Sequence, residues 1–342
     1  MTDLSPILGN HLAQWDLQLL DSFSFTDWVW QAVNGELDLS LSGIIEVIIR
    51  IFFDELWQNG TLIRQLLVIT ILSALIRCLS DSFKTKSIGE LAFYVSYVLV
   101  IATAITSFRL ATAILTDLVM HTTSMMEAAV PVMISLTAMS GNISSAAVLH
   151  PVLFMGLTLM ARFIAYVFIP LITGAAILHV VSHLTEGSKF SKAIGLIKNI
   201  SKLTLKFMVF LFLSLLALQR ISAPIIDNLV MRTARAAAGA VPVVGGALNS
   251  AMDTVVNFSA AARGGVLVAL VIVICVAVTT PLLKLLVFMF IYKLTAALVQ
   301  PICDERIVKC LDGLGDYTGM LLGAGLLVSV MFIFTCVIML IF

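Results

Sequence analysis

Residues 147–184 read AVLHPVLFMGLTLMARFIAYVFIPLITGAAILHVVSHL, thirty-eight residues with one charge, Arg162, and a proline at position 170. As one helix this run would extend about 57 Å, well beyond a hydrocarbon core of roughly 30 Å. It is therefore expected to be kinked, tilted or divided into two segments. The rest of the chain has the same character. Of 342 residues, 60% are hydrophobic and 12% charged, and the mean hydropathy is +1.09. A soluble domain carries about 25% charged residues. The sequence predicts an all-α, polytopic helical membrane protein. Further spans are expected at Thr61–Leu79, Leu91–Phe108, Leu203–Leu218, Gly265–Thr280, Pro281–Val299 and Thr318–Phe342.

Twenty Lys and Arg offset twenty Asp and Glu. A zero balance argues against nucleic acid, which needs a basic face. The charges are unevenly placed. Residues 1–56 hold nine acids, Asp3, Asp16, Asp21, Asp27, Glu36, Asp38, Glu46, Asp54 and Glu55, against one base, Arg50. The remainder has nineteen bases to eleven acids. Because Lys and Arg are retained on the cytoplasmic side, the acidic head, residues 1–60, is expected outside and the basic loops inside. The densest basic stretch holds Lys189, Lys192, Lys198, Lys202 and Lys206. The first fifteen residues lack the basic and apolar regions of a signal peptide. An exported head would then need a signal upstream of Met1 or an earlier start; otherwise the head is cytoplasmic. Within it, residues 43–57 place Glu46, Arg50 and Asp54 at i, i+4, i+8 on an otherwise apolar helix. That pattern suits a helix in the membrane interface or packed on the bundle.

An internal repeat appears at an offset of 111 residues. Leu118, Val119, Met120, Thr122, Ala129, Val130, Pro131 and Val132 match Leu229, Val230, Met231, Thr233, Ala240, Val241, Pro242 and Val243. The same offset aligns Arg109 with Arg220 and Pro170-Leu171 with Pro281-Leu282. Composition explains stray Ala, Leu and Val matches, but not Arg, Met, Thr and two prolines in register. The reading is two parallel internal repeats of Pro-broken spans, residues 91–188 and 202–299, after a first span at 61–80 and before a final Gly-rich span at 317–342. Parallel repeats are related by an axis along the membrane normal. Each would cross two or four times.

Several residues are candidates for function. The AVPV elements, with Pro131 and Pro242, are followed by small and polar residues, Gly245 and Gly246 in the second copy. They read either as pore-lining or re-entrant elements or as amphipathic helices in the interface. Charges expected near the membrane are Arg109, Asp117, Glu127, Arg162, Arg220, Lys284 and Lys293. Such groups are costly in hydrocarbon and mark functional positions. The duplicated Arg109 and Arg220 are the leading candidates for a structural or conducting role. Gly315, Gly319 and Gly323, at i, i+4, i+8, form a ridge for close approach of another helix, from this chain or from a second copy.

No catalytic constellation accompanies these features. His179 and His183 are four apart, yet no third ligand or HExxH occurs, so no metal site is assigned. GLGDYTG departs from the dinucleotide fingerprint and precedes a membrane span. The five cysteines, Cys78, Cys275, Cys303, Cys310 and Cys336, have no CxxC or metal-ligand spacing and read as packing residues. Neither a triad nor a P-loop is present, so the chain is expected to be no enzyme and to need no cofactor.

The stretch AVPVVGGALNSAMDTV, Ala240 to Val255, resembles the stage III sporulation protein AE family of endospore-forming bacteria. The acidic head, the Pro-interrupted spans and the Gly-rich last span resemble it too, over most of the chain from about residue 40. Members usually begin with a signal peptide, which this sequence lacks. The resemblance implies a multipass protein of the mother-cell membrane around the forespore. It also implies partnership with the other stage III A-operon proteins, including an ATPase, and with stage II sporulation protein Q across the intermembrane space. Together these would form a channel or secretion-like apparatus for late endospore development, with this chain as its permease-like platform. It brings no catalytic residues. The alternative is a stand-alone secondary transporter with a midplane site built from the two AVPV elements.

Overall fold

Without water in the hydrocarbon core, each backbone amide must find its partner within its own helix or in a closed barrel. The computed structural model describes residues 41–82, 86–139, 150–183, 191–239, 271 and 274–341. Among them there is helix and turn and no strand. In chain order the helices are α1 (Leu41–Gln58), α2 (Gly60–Ser82), α3 (Lys86–Met139) and α4 (His150–Phe163). A five-residue π-helical turn, Ile164–Phe168, then leads into α5 (Ile169–Ser182), followed by α6 (Ser191–Gly239), α7 (Ile274–Val299) and α8 (Glu305–Ile341). Five stretches are long and apolar enough to cross a membrane: Tyr97–Pro131, Pro151–Ser182, Lys192–Leu218, Ile274–Val299 and Glu305–Val337. The protein is an all-helical, multipass membrane protein.

The prolines do not divide these helices as the sequence suggests. Pro131 lies on the exposed side of the unbroken α3. There the Ser135 hydroxyl donates to the Pro131 carbonyl at 2.8 Å. Pro281 is buried within the unbroken α7. Pro170 follows the π-helical turn, where the Ile169 amide reaches back five residues to the Ile164 carbonyl. A proline ring clashes with the carbonyl four residues before it and leaves that carbonyl without a donor. A wider turn just upstream accommodates both, so the 147–184 run continues as one helical path from His150 to Ser182. Arg109 likewise ends nothing, because α3 runs through it for 54 residues. The second AVPV element, with Pro242, Gly245 and Gly246, lies outside the described residues.

Long-range contacts fix how the helices align. The Tyr97 hydroxyl of α3 donates to the Val180 carbonyl of α5 at 2.9 Å. The Tyr292 hydroxyl of α7 meets the Ala104 carbonyl at 3.0 Å and Ser107 Oγ at 2.6 Å. Cys336 near the end of α8 lies against Met126 of α3. Thus α3 and α8 run in the same direction, with α5 and α7 opposed to them. Helix α8 is central: from Tyr317 to Cys336 its buried side chains include Leu321, Ala324, Val328, Met331 and Phe332. Helix α6 lies outside, with Leu196, Leu203, Phe207, Phe210 and Leu213 exposed, as lipid contact demands.

Helix α1 carries the charged stripe read from the sequence, and its last turn is drawn inward. Glu55 is buried and pairs with Lys284 at 3.6 Å, while the Phe52 and Phe290 rings meet edge to face. The Asn59 amide and side chain both return to the Glu55 carbonyl, closing α1 against the start of α2. The α1/α2 corner therefore packs beside the middle of α7.

Candidate functional site

Four helix ends converge at one end of the bundle: the C-terminal ends of α5 and α7 and the N-terminal ends of α6 and α8. Here the charges of the chain cluster. On α8, Asp312 and Asp316 are one turn apart and share a face. Asp316 accepts from Lys198 of α6 at 2.6 Å and from Lys293 of α7 at 2.5 Å, one lysine on each carboxylate oxygen. Lys293 also reaches Asp312 at 2.7 Å. Asp316 and Lys198 are each about a third exposed, and Asp312 about half. These charge-assisted bonds join α6, α7 and α8. Two ammonium groups balance two carboxylates, so the network leaves no spare charge.

The fourth helix contributes histidines. His179 of α5 packs against Gly313 of α8, where an added Cβ would fall on the Nε2 corner of the imidazole ring. Its Nε2 faces the Lys309 carbonyl at 3.1 Å, and Nδ1 of His183 faces the His179 carbonyl at 2.8 Å. A ring nitrogen facing a carbonyl must carry a proton, which sets both tautomers. The two rings lie 4.6 Å apart, and Tyr317 meets His179 edge-on. Together these side chains wall an open cavity of about 510 Å³, with Gln300 and Lys309 at its margin. Just beyond, the Cys303 thiol donates to the Thr70 carbonyl at 3.1 Å. Burial pushes that thiol's pKa up, and the Asp304 carboxylate adds to the shift.

Chemically, this is a partly exposed, charge-compensated clamp. It holds four helices together and offers ammonium, carboxylate and imidazole groups to water or a polar solute. No group of three or more potential metal ligands occurs among the described residues.

Of the residues singled out from the sequence, Lys198, Lys293, His179 and His183 meet here, whereas the duplicated arginines sit elsewhere. Arg109 is exposed on α3, and Arg220 lies in α6. A Cβ on Gly315 would come within 3.0 Å of the Lys293 stem, and one on Gly319 within 3.1 Å of Met289 Sδ, so both face α7. A Cβ on Gly323 would lie 3.7 Å from Leu205 of α6, an ordinary contact. Gly325, which the ridge pattern passes over, is tighter: Leu282, Leu115 and Leu118 stand 3.0, 3.1 and 3.3 Å from the position of its Cβ. Of the clamp, the sequence marks Lys293 as a membrane charge, Lys198 as part of a basic stretch and the His179/His183 pair, but misses the two carboxylates that join them. The available signal is the i, i+4 pair Asp312 and Asp316, interleaved with Gly313 and Gly315 at the entry to an apolar span.

Comparison with known proteins points to one family. The family model for stage III sporulation protein AE matches residues 23–342. The stage III sporulation protein AE of Bacillus subtilis (strain 168) is 31% identical over 302 residues, covering 88% of this chain and 75% of that protein. No solved structure matches. From a match across nearly its whole length and a multipass helical bundle to go with it, the chain belongs to the stage III sporulation protein AE family.

Proposed function

We propose that the protein is a membrane subunit of the channel or secretion-like complex joining mother cell and forespore, and that it acts in the mother-cell membrane as a permease-like platform without catalysis of its own. The observation that carries this reading is the family match over residues 23–342, on a chain with five apolar helices. Two structural features support it. The clamp of Lys198, Lys293, Asp312 and Asp316 ties helices together and holds no activated nucleophile. Lys192 and Lys202 are exposed on the outer helix α6 near the same end of the bundle, where a cytoplasmic partner can reach them. In this reading the partners are the other stage III A-operon proteins, an ATPase among them, and stage II sporulation protein Q across the intermembrane space.

The test is a clean in-frame deletion of the gene in its native host. Development should stop after engulfment while vegetative growth is unchanged, and the intact gene supplied elsewhere should restore spores. Normal spores from the deletion overturn the reading.

A further inference from the structure

The cavity at the clamp selects its occupant by what its own network leaves unmet. Every cation in its wall is already matched: Lys198 and Lys293 by Asp316 and Asp312, and Lys309 by Glu305 at 2.7 Å. A net ion entering the cavity would bring an uncompensated charge into a site only partly open to water, which is costly. An apolar molecule would cover the polar wall without bonding to it, which is costly too. The fitting occupant has zero net charge and is itself polar. The volume, about 510 Å³, lies within the range of small-molecule pockets, roughly 300–1,000 Å³.

The unmet groups are sorted by helix. Donors come from α6 and α7: Lys198 uses one ammonium N–H on Asp316, and Lys293 uses two, on Asp312 and Asp316, of the three that each ammonium carries. Acceptors come from α5 and α8. His179 Nε2 and His183 Nδ1 commit their protons to carbonyls, so the other nitrogen of each neutral ring carries a lone pair. Asp312 uses one carboxylate oxygen on Lys293, and its other oxygen has no partner among the described residues. Tyr317, in the same wall, is 1% exposed, and its hydroxyl also has no partner among the described residues. The wall is therefore short of polar partners on two sides, one rich in N–H groups and one rich in lone pairs.

We propose that this cavity binds a small zwitterion, a primary ammonium and an oxyanion joined by a short linker. Lys198 and Lys293 hold the oxyanion, while the imidazoles of α5 and the second oxygen of Asp312 accept from the ammonium. The ammonium must be primary, because a quaternary one has no N–H to give those lone pairs. Two sources carry this chemistry. One is a free solute in the water at the helix ends. The other is the headgroup of phosphatidylethanolamine, whose acyl chains can lie along the exposed Leu196, Ile200 and Leu203 of α6, on either side of Lys198. The proposal goes beyond the channel-subunit reading and does not rest on it.

The test uses the purified full chain in a non-ionic detergent. In one arm, equilibrium dialysis measures glycerophosphoethanolamine, which should bind saturably at one per chain. Glycerophosphocholine, its trimethylated counterpart, should bind about tenfold more weakly or less, since each lost bond to a charged group is worth about that factor. Inorganic phosphate and ethanolamine alone should not compete. In the other arm, mass spectrometry of chain released from micelles holding equal phosphatidylethanolamine and phosphatidylcholine counts retained lipid. Preference for the ethanolamine in the lipid arm identifies a headgroup site, and preference in the solute arm alone identifies a free solute; both support the proposal. Ala297 is exposed in the cavity wall and outside the clamp, so Ala297→Phe should fill the cavity and abolish binding with the unfolding midpoint unchanged. His183→Leu, which removes one acceptor, should weaken binding about tenfold and serves if Ala297→Phe does not fold. No preference for the primary ammonium in either arm overturns the proposal. So does phosphate that binds as tightly as the zwitterion, or binding that both variants leave intact.

Discussion

Asp316 is the residue on which the clamp depends, and removing its carboxylate gives a measurable loss. In Asp316→Ala, Lys198 loses its 2.6 Å partner and Lys293 loses one of two. Asp312 is left to face both ammonium groups, although its contact is with Lys293 alone. A sheltered hydrogen bond to a charged group contributes about 1.5–3 kcal/mol, whereas an exposed ion pair contributes about 0.2–1 kcal/mol. With side chains about a third exposed, each bond falls between these limits at about 1 kcal/mol. Asp316→Ala should therefore destabilise the chain by about 2 kcal/mol, and Asp316→Asn, which keeps one acceptor oxygen, by about 1 kcal/mol. The measurement is reversible unfolding of the purified chain in mixed micelles by titration with a denaturing detergent. A double-mutant cycle with Lys198→Met should give a coupling of about 1 kcal/mol. Raising the salt to about 1 M shortens the screening length to about 3 Å and should shrink that coupling. An Asp316→Ala chain as stable as the parent to within about 0.3 kcal/mol, or strict additivity with Lys198→Met, refutes the clamp.

Other perturbations follow from the packing. Gly325→Ala sets a methyl group against three leucine tips at 3.0–3.3 Å and should cost about 1–3 kcal/mol, while Gly323→Ala, with Leu205 at 3.7 Å, should be close to neutral in the same unfolding assay. Gly313→Ala displaces the His179 ring and breaks its bond to the Lys309 carbonyl; adding His179→Ala should recover most of the loss, and failure to do so would place the strain elsewhere. Tyr292→Phe removes the bonds to Ala104 and Ser107 and should cost about 1–2 kcal/mol without altering the helical circular dichroism. Because the Cys303 thiolate forms only as pH rises and burial holds its pKa above the usual thiol value, alkylation of Cys303 in an otherwise cysteine-free chain should be slow at neutral pH and still be accelerating above about pH 9, past the point where a free thiol levels off.

The helical, membrane-spanning character of the chain was legible because it depends on composition along one dimension. Long apolar runs such as 147–184 allow no other solution in lipid. What depends on partners distant in sequence was not legible. Lys198 and Asp316 are 118 residues apart, and read locally each belongs to a polar loop. In the structure both are helical, because α6 begins at Ser191 and α8 at Glu305. Their charges lie within helices because they neutralise each other. The prolines misled for a different physical reason. In water Pro131 or Pro281 would end a helix, whereas in a membrane a break exposes amides with nothing to bond, so the helix continues around the proline. The π-helical turn before Pro170 has no sequence signature of its own. Gly315 and Gly319 could be found by spacing because both face α7. Gly325 could not, because the leucines that crowd it come from α3 and α7.

The central place of α8 has a consequence for how the protein is made. The helix the others pack around leaves the ribosome after all of them. Until Glu305–Ile341 is synthesised, Lys198 and Lys293 lack their carboxylates, His179 has no Gly313 to rest on, and Leu115, Leu118 and Leu282 have no common surface. The earlier helices enter the membrane with those groups uncovered and must wait for α8. Packing of the bundle is therefore completed only once α8 is inserted, and a chain cut short before α8 presents mismatched charges to the machinery that degrades unfinished membrane proteins.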